Sequence, residues 1–170
     1  NDERIIVANA RLTYLGEMSE ATEGIEKALQ SSVDRANTLI NKYEPSVGAD
    51  YSTGDHYANK PNFSQAERQA LSAAVEAAAS AATAEDKYAL VGQFTNLFQS
   101  VYQTKKAYVN LRTSFISVFE KWGNEATYMP TEEQETVLNA LYDVQNQWLE
   151  GGYTSAQAIA KTAELYATYP

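Results

Sequence analysis

Between Glu85 and Trp122 the apolar residues fall at Leu90, Phe94, Leu97, Val101, Tyr108, Leu111, Phe115, Val118 and Trp122. The steps alternate between four and three, Thr104 stands in the one gap, and no proline interrupts the run. That is the spacing of a helix with one buried seam. Val91, Phe98 and Phe119 form a second row that widens the stripe on one side. At about 1.5 Å per residue such a helix is roughly 55–60 Å long, more than one compact bundle of this size requires. The pattern therefore predicts a helix that serves two bundles in succession.

The flanking segments follow the same period. From Glu3 to Tyr43 a helical stripe runs through Ile5, Leu12, Leu15, Met18, Ile25, Leu29, Val33, Ala36, Ile40 and Tyr43. Gly16 and Gly24 weaken it by about 1 kcal/mol each relative to alanine, so the segment reads as one helix bent there. The alternative is a fresh start capped by Ser19 or Thr22. Residues 44–62 hold two prolines, two glycines and several Asp, Ser and Asn residues, which makes them a long loop. Ser64-Gln-Ala-Glu67 then reads as a capping box, in which the serine oxygen accepts an orphan amide and the glutamate reaches back. Thr131-Glu-Glu-Gln134 reads the same way. Thr83 with Asp86, and Thr154 with Gln157, open two further helices. Gly123-Asn124 and Gly151-Gly152 read as helix stops.

These caps line up as an internal repeat. Each copy holds an incoming helix, a loop with aromatics, a capped helix, a short turn and a second capped helix. The expected fold is all-α and elongated: two consecutive three-helix bundles sharing one long central helix, as spectrin-type arrays do. The expected units are 19–106 and 107–170, with 1–18 as a helical segment of a preceding unit or an extra packing helix. A single three-helix unit buries little, so sharing a helix with its neighbour stabilises both.

The residues that carry the pattern are Leu29, Val33 and Ala36, then Phe63-Ser64, Leu71, Ala74 and Ala78, then Thr83, Asp86 and Leu90. In the second copy they are Leu111, Phe115 and Val118, then Tyr128, Thr131, Leu138 and Leu141, then Thr154, Gln157 and Leu165. This pattern resembles the FIVAR-type three-helix modules of bacterial cell-surface proteins, over most of residues 19–169. It departs from them at Arg68 and Glu135, where such modules usually carry an aromatic, and in the length of the 44–62 loop. The resemblance implies an extracytoplasmic bacterial protein (cell-surface, secreted or periplasmic) with a role in adhesion, spacing or carbohydrate contact.

Composition removes several classes. The net charge of −9 argues against nucleic acid and against anionic lipid as partners. There is no cysteine, hence no disulfide and no thiolate site. No apolar run is long enough to span a bilayer, so no membrane insertion is expected. The chain opens on Asn-Asp-Glu-Arg and reads as a piece of something longer.

Candidate chemistry is thin. His56 is the single histidine, with Asp50, Ser52 and Asp55 near it in sequence, a set that suits turn formation better than a catalytic triad. The Asp50-x-Ser52-x-Gly54-Asp55 run lacks the bidentate glutamate of a calcium loop. Glu132, Glu133 and Glu135 suit the positive end of a helix better than acid–base work. The expectation is no enzyme, no metal and no cofactor. Aromatics are the better lead, because exposed rings beside polar groups contact sugars and proteins. Trp122 and Trp148 lie on apolar stripes and are expected in the core. Tyr51 and Tyr57, in a polar loop with His56, are the expected contact residues. The function expected is a non-catalytic accessory, spacer or carbohydrate-binding module, with a glycan or a surface protein as partner. The alternative is a helical protein–protein interaction domain using a groove beside Glu3–Met18.

Overall fold

The computed structural model describes residues 18–42, 63–126 and 128–169, and within them five helices and no strand. They are α1 (Met18–Asn41), α2 (Gln65–Ser80), α3 (Ala84–Ala126), α4 (Thr131–Leu149) and α5 (Ser155–Thr168). The chain is all-α, as its periodicity requires.

α3 is 43 residues long, about 65 Å at 1.5 Å per residue, and it packs against each of the other four helices. Its predicted seam is its buried face. Leu90, Phe94, Val101, Tyr108, Leu111, Phe115 and Val118 are buried, and Thr104 is fully buried in their row. Two clusters of buried side chains lie along this helix. One joins Leu90, Phe94 and Val101 to Leu29 and Ala36 of α1 and to Phe63, Leu71 and Ala74 at α2. The other joins Ala107, Tyr108, Leu111, Phe115 and Val118 to Leu141, Val144, Trp148 and Leu149 of α4 and to Tyr153, Ala158 and Leu165. Each fully buried Leu or Phe removed from water contributes about 1.5–3 kcal/mol.

Side-chain pairs give the directions. Lys87 meets Glu26, and Arg35 lies over Phe98, so α1 runs alongside α3 in the same sense. The start of α2 meets Ser100 and Thr104, so α2 runs the opposite way. Phe119 meets Tyr142, and Phe115 meets Trp148, which makes α4 antiparallel to α3. Tyr108 meets Tyr153 and Trp122 meets Tyr169, which makes α5 parallel to it.

The starts of α2 and α5 converge on the middle of α3. The Ser64–Glu67 capping box forms as expected, with the Glu67 amide donating to Ser64 Oγ and the Ser64 amide to the Glu67 carboxylate. The same carboxylate accepts from Ser100 Oγ and, at 2.7 Å, from Thr104 Oγ1. Thr104 thus fills the gap in the apolar row because its hydroxyl has an ionic acceptor there. A few residues on, the Tyr108 hydroxyl donates to the Tyr153 carbonyl at 2.6 Å, beside the Thr154–Gln157 capping box of α5. Between these two anchors the Gln65 amide donates to the Gly151 carbonyl at 2.9 Å. Gly151 has φ 69°, and its amide and that of Gly152 donate back to Trp148 and Gln147, a Schellman ending at the stop predicted for α4.

Two expectations need correction, and one alternative falls away. α4 has Pro130 as its cap residue, with no side-chain cap bond, so Thr131 is already helical. Pro130 takes the extended conformation (ψ 144°) that the box requires of Thr131, and the acidic first turn, Glu132 and Glu133, offsets the helix dipole instead. α3 does not stop at Gly123-Asn124 but runs to Ala126. The penalty of about 1 kcal/mol for one glycine is outweighed where the preceding turn is held by Trp122 against Tyr169, ring centres 5.5 Å apart. Gly24 does not break α1, which is continuous from Met18, so no fresh start occurs at Thr22. Residues 1–17, including most of the predicted first segment, lie outside the described residues.

Candidate functional site

The expected contact residues Tyr51, His56 and Tyr57, with Asp50, Ser52 and Asp55, all lie outside the described residues. What the structure does describe is the ground on either side of their loop. Lys42, just before it, and Phe63, just after it, flank Lys105 of α3: Lys105 Nζ stands 5.8 Å from the centre of the Phe63 ring, and the Lys42 charge acts on the Lys105 amine. One helical repeat earlier, Arg35 Cζ stacks 4.2 Å above the centre of Phe98. α1 and α3 run in parallel, which brings Arg35 to Phe98 and the end of α1 towards Lys105. Arg35 also lines a shallow groove of about 410 Å³ with Thr95, Phe98, Gln99 and Tyr102. Tyr102 is 61% exposed at its edge.

Arg35, Lys42 and Lys105 act on one another electrostatically. Three other lysines are matched with carboxylates: Lys27 with Glu23, Lys87 with Glu26 and Lys161 with Glu164. Arg35, Lys42 and Lys105 have no ion pair among the described residues, in a chain with 22 acidic and 13 basic side chains. The Lys105 amine is held below the usual lysine range, by partial burial first and then by the charges of Lys42 and Arg35. Arg35 shares its groove with the exposed Tyr102.

A second groove, about 400 Å³, lies between α4 and α5. Its walls carry Asp143, Gln147, Lys161, Glu164 and Thr168 over Val144 and Leu165, with Tyr153 and Tyr169 among them. Lys161 and Glu164 neutralise one another at 2.6 Å. Burial, then Glu164 and Asp143, push the Tyr153 phenol up to about 12. Such a phenol stays neutral and is a poor base near neutral pH.

Trp148 is buried against Phe115, Trp122 packs on Tyr169, Tyr153 is tied to Tyr108, and Tyr128 stands 92% exposed. Both tryptophans pack as core residues, as their stripes indicate. Among the described residues no cluster of His, Cys, Asp and Glu could hold a metal ion, and no helix is long and apolar enough to cross a membrane. Neither groove brings together a nucleophile, a base and an orienting group; both offer binding surface. Comparison with protein-family models, with curated proteins and with solved structures returns no match.

Proposed function

We propose that the chain is a non-catalytic spacer and binding module of an extracytoplasmic bacterial protein, built as two three-helix units that share α3 in the spectrin manner. The units are residues 19–106 and 107–170. The observation that carries this reading is the division of the buried side chains into two clusters strung along one helix, one ending at Val101 and the next beginning at Ala107. Two cores in series on a helix of 43 residues favour a rod that holds its ends apart. The hydrogen bonds of Glu67, Gln65 and Tyr108 stiffen the place where the rod would bend. The likeness to FIVAR-type modules supports the surface location and a glycan as the ligand, contacted through Tyr51, His56 and Tyr57.

Small-angle scattering tests the architecture. A compact globule of this length has a radius of gyration of roughly 15–16 Å. A rod built on α3 gives about 20 Å, with a long tail in the distance distribution. A compact value would sink the spacer reading. The protein-interaction alternative draws on one observation, the outward placement of Ile159 (60% exposed) and Tyr166 (51% exposed) one above the other on α5. Pull-down by a surface protein that is abolished in Ile159→Ser/Tyr166→Ser would favour it over glycan contact.

A further inference from the structure

The helices on the two halves of α3 are not closed alike. α1 and α2 pack on α3 and also on each other, whereas α4 and α5 pack on α3 and hardly on each other. The open side is the cleft of about 400 Å³ between α4 and α5, lined wholly by residues 140–169. Tyr153 stands in its wall with only 6% of its surface exposed, as a member of the buried cluster beneath. Its carbonyl accepts from Tyr108, but among the described residues nothing hydrogen-bonds to its hydroxyl. Glu164 and Asp143, from the two helices that form the cleft, are both near enough to act on that hydroxyl. We propose that this cleft binds a small organic amine, with Asp143 and the Tyr153 hydroxyl receiving the ammonium group and the hydrocarbon stem lying over Val144 and Leu165.

Charge and hydrogen-bonding capacity select the ligand class. Three charged residues line the cleft, and Lys161 cancels Glu164 at 2.6 Å, so the lining keeps the net negative charge of Asp143. The Asp143 carboxylate, the Gln147 amide carbonyl and the Tyr153 phenol oxygen can all accept hydrogen bonds. An ammonium group has three donors and no acceptor, which complements that set, and it is also drawn to the face of a tyrosine ring. A carboxylate ligand would meet Asp143 and Glu164 as like charges. A neutral polyol would take water from Asp143 without returning a counter-charge. The floor of Ala140, Val144 and Leu165 is apolar and suits a hydrocarbon stem. A partner helix is the wrong occupant, because it would lay an apolar face against walls that carry three charges. The volume lies at the lower end of small-molecule sites.

The test is an amide-resolved NMR titration of the full chain with hexylamine, with 1-hexanol and hexanoate as ligands of the same stem that lack the positive charge. Hexylamine is expected to bind with a Kd of about 1 mM or tighter and to move resonances within residues 140–169. Hexanol is expected to bind about tenfold more weakly, and hexanoate to move nothing. Asp143→Asn is expected to weaken hexylamine about five- to tenfold. Tyr153→Phe, which keeps the ring and removes the hydroxyl, is expected to weaken it about two- to fivefold. Asp34→Asn, which alters a carboxylate of α1 engaged by the Gln30 amide, is expected to change nothing. Circular dichroism of each variant separates lost binding from lost fold, and Asp143, on the exposed side of α4, can be replaced without touching the core. The proposal is overturned if hexylamine does not bind, if hexanol or hexanoate binds as tightly, or if Asp143→Asn leaves the affinity unchanged. Resonances moving over the whole acidic surface, with Asp34→Asn weakening hexylamine as much as Asp143→Asn, would also overturn it, because the amine would then be a diffuse counter-ion.

Discussion

Replacement of Glu67 by alanine is the most informative single perturbation of this fold. The carboxylate closes the α2 capping box through the Ser64 amide and accepts the hydroxyl of Thr104, which is 0% exposed. Loss of the cap interaction costs about 0.5–2 kcal/mol. The stranded Thr104 hydroxyl adds about 1–3 kcal/mol, because it has lost its acceptor in a place water does not reach. Ser100 is exposed and returns to water at little cost. The sum is about 1.5–5 kcal/mol, and at about 2–4 °C per kcal/mol for a chain of this size Tm falls by roughly 3–20 °C. Thr104→Val keeps the shape and removes the donor while Glu67 retains its other partners, so it costs only about 1 kcal/mol. In the double variant no buried group is stranded, and the two changes together are expected to cost about 1–2 kcal/mol less than their sum. Urea unfolding followed by far-ultraviolet circular dichroism measures all three. A loss below about 0.5 kcal/mol for Glu67→Ala, or strict additivity in the double variant, would refute the link between α2 and α3.

Other consequences follow from backbone geometry and titration. A Cβ added at Gly24 or Gly92 meets no atom within 4 Å, so Gly24→Ala and Gly92→Ala are each expected to stabilise by about 0.5–1 kcal/mol; a fall in urea midpoint would show that these turns of α1 and α3 are not regular helix. Gly151 sits at φ 69°, so Gly151→Ala is expected to cost about 1–2 kcal/mol and to loosen the Gln65 contact, checked by faster amide exchange at Gln65. The unfolded phenol of Tyr153 ionises at about 10, whereas the folded one holds its proton to about 12. Above pH 10 the unfolded chain therefore releases a proton that the folded chain keeps. That contribution is complete below pH 10 and is lost as pH rises towards 12. Tyr153→Phe should fall less steeply over that window, and equal slopes in alkaline denaturation would contradict the burial of the phenol.

Much of the fold is legible in one dimension because a helix converts sequence spacing directly into a face. The row from Leu90 to Val118 needed only its three-and-four steps to be assigned to a seam, and the Ser64, Thr83 and Thr154 caps needed only their third-residue partners. The start of α4 was misread for a local reason: Pro130 takes the cap position, and a Thr already in helical conformation cannot serve there. Glu67 was visible as a capping residue, but not as the acceptor of Thr104, which lies 37 residues away.

The cationic seam shows where the linear reading stops. Arg35 and Lys42 are seven residues apart on one helix, and Phe98 and Lys105 are seven apart on another, so each row was present in the sequence. Neither spacing says that the rows lie side by side in register, which is a product of how Leu29 and Ala36 pack against Leu90 and Phe94. The overall charge of −9 even points the other way, because net charge averages over a surface whose patches are set by packing. Periodicity and capping by themselves determined helix, seam and stop. Only the tertiary structure decided which faces meet, because contacts between helices depend on volumes and angles that no local pattern encodes.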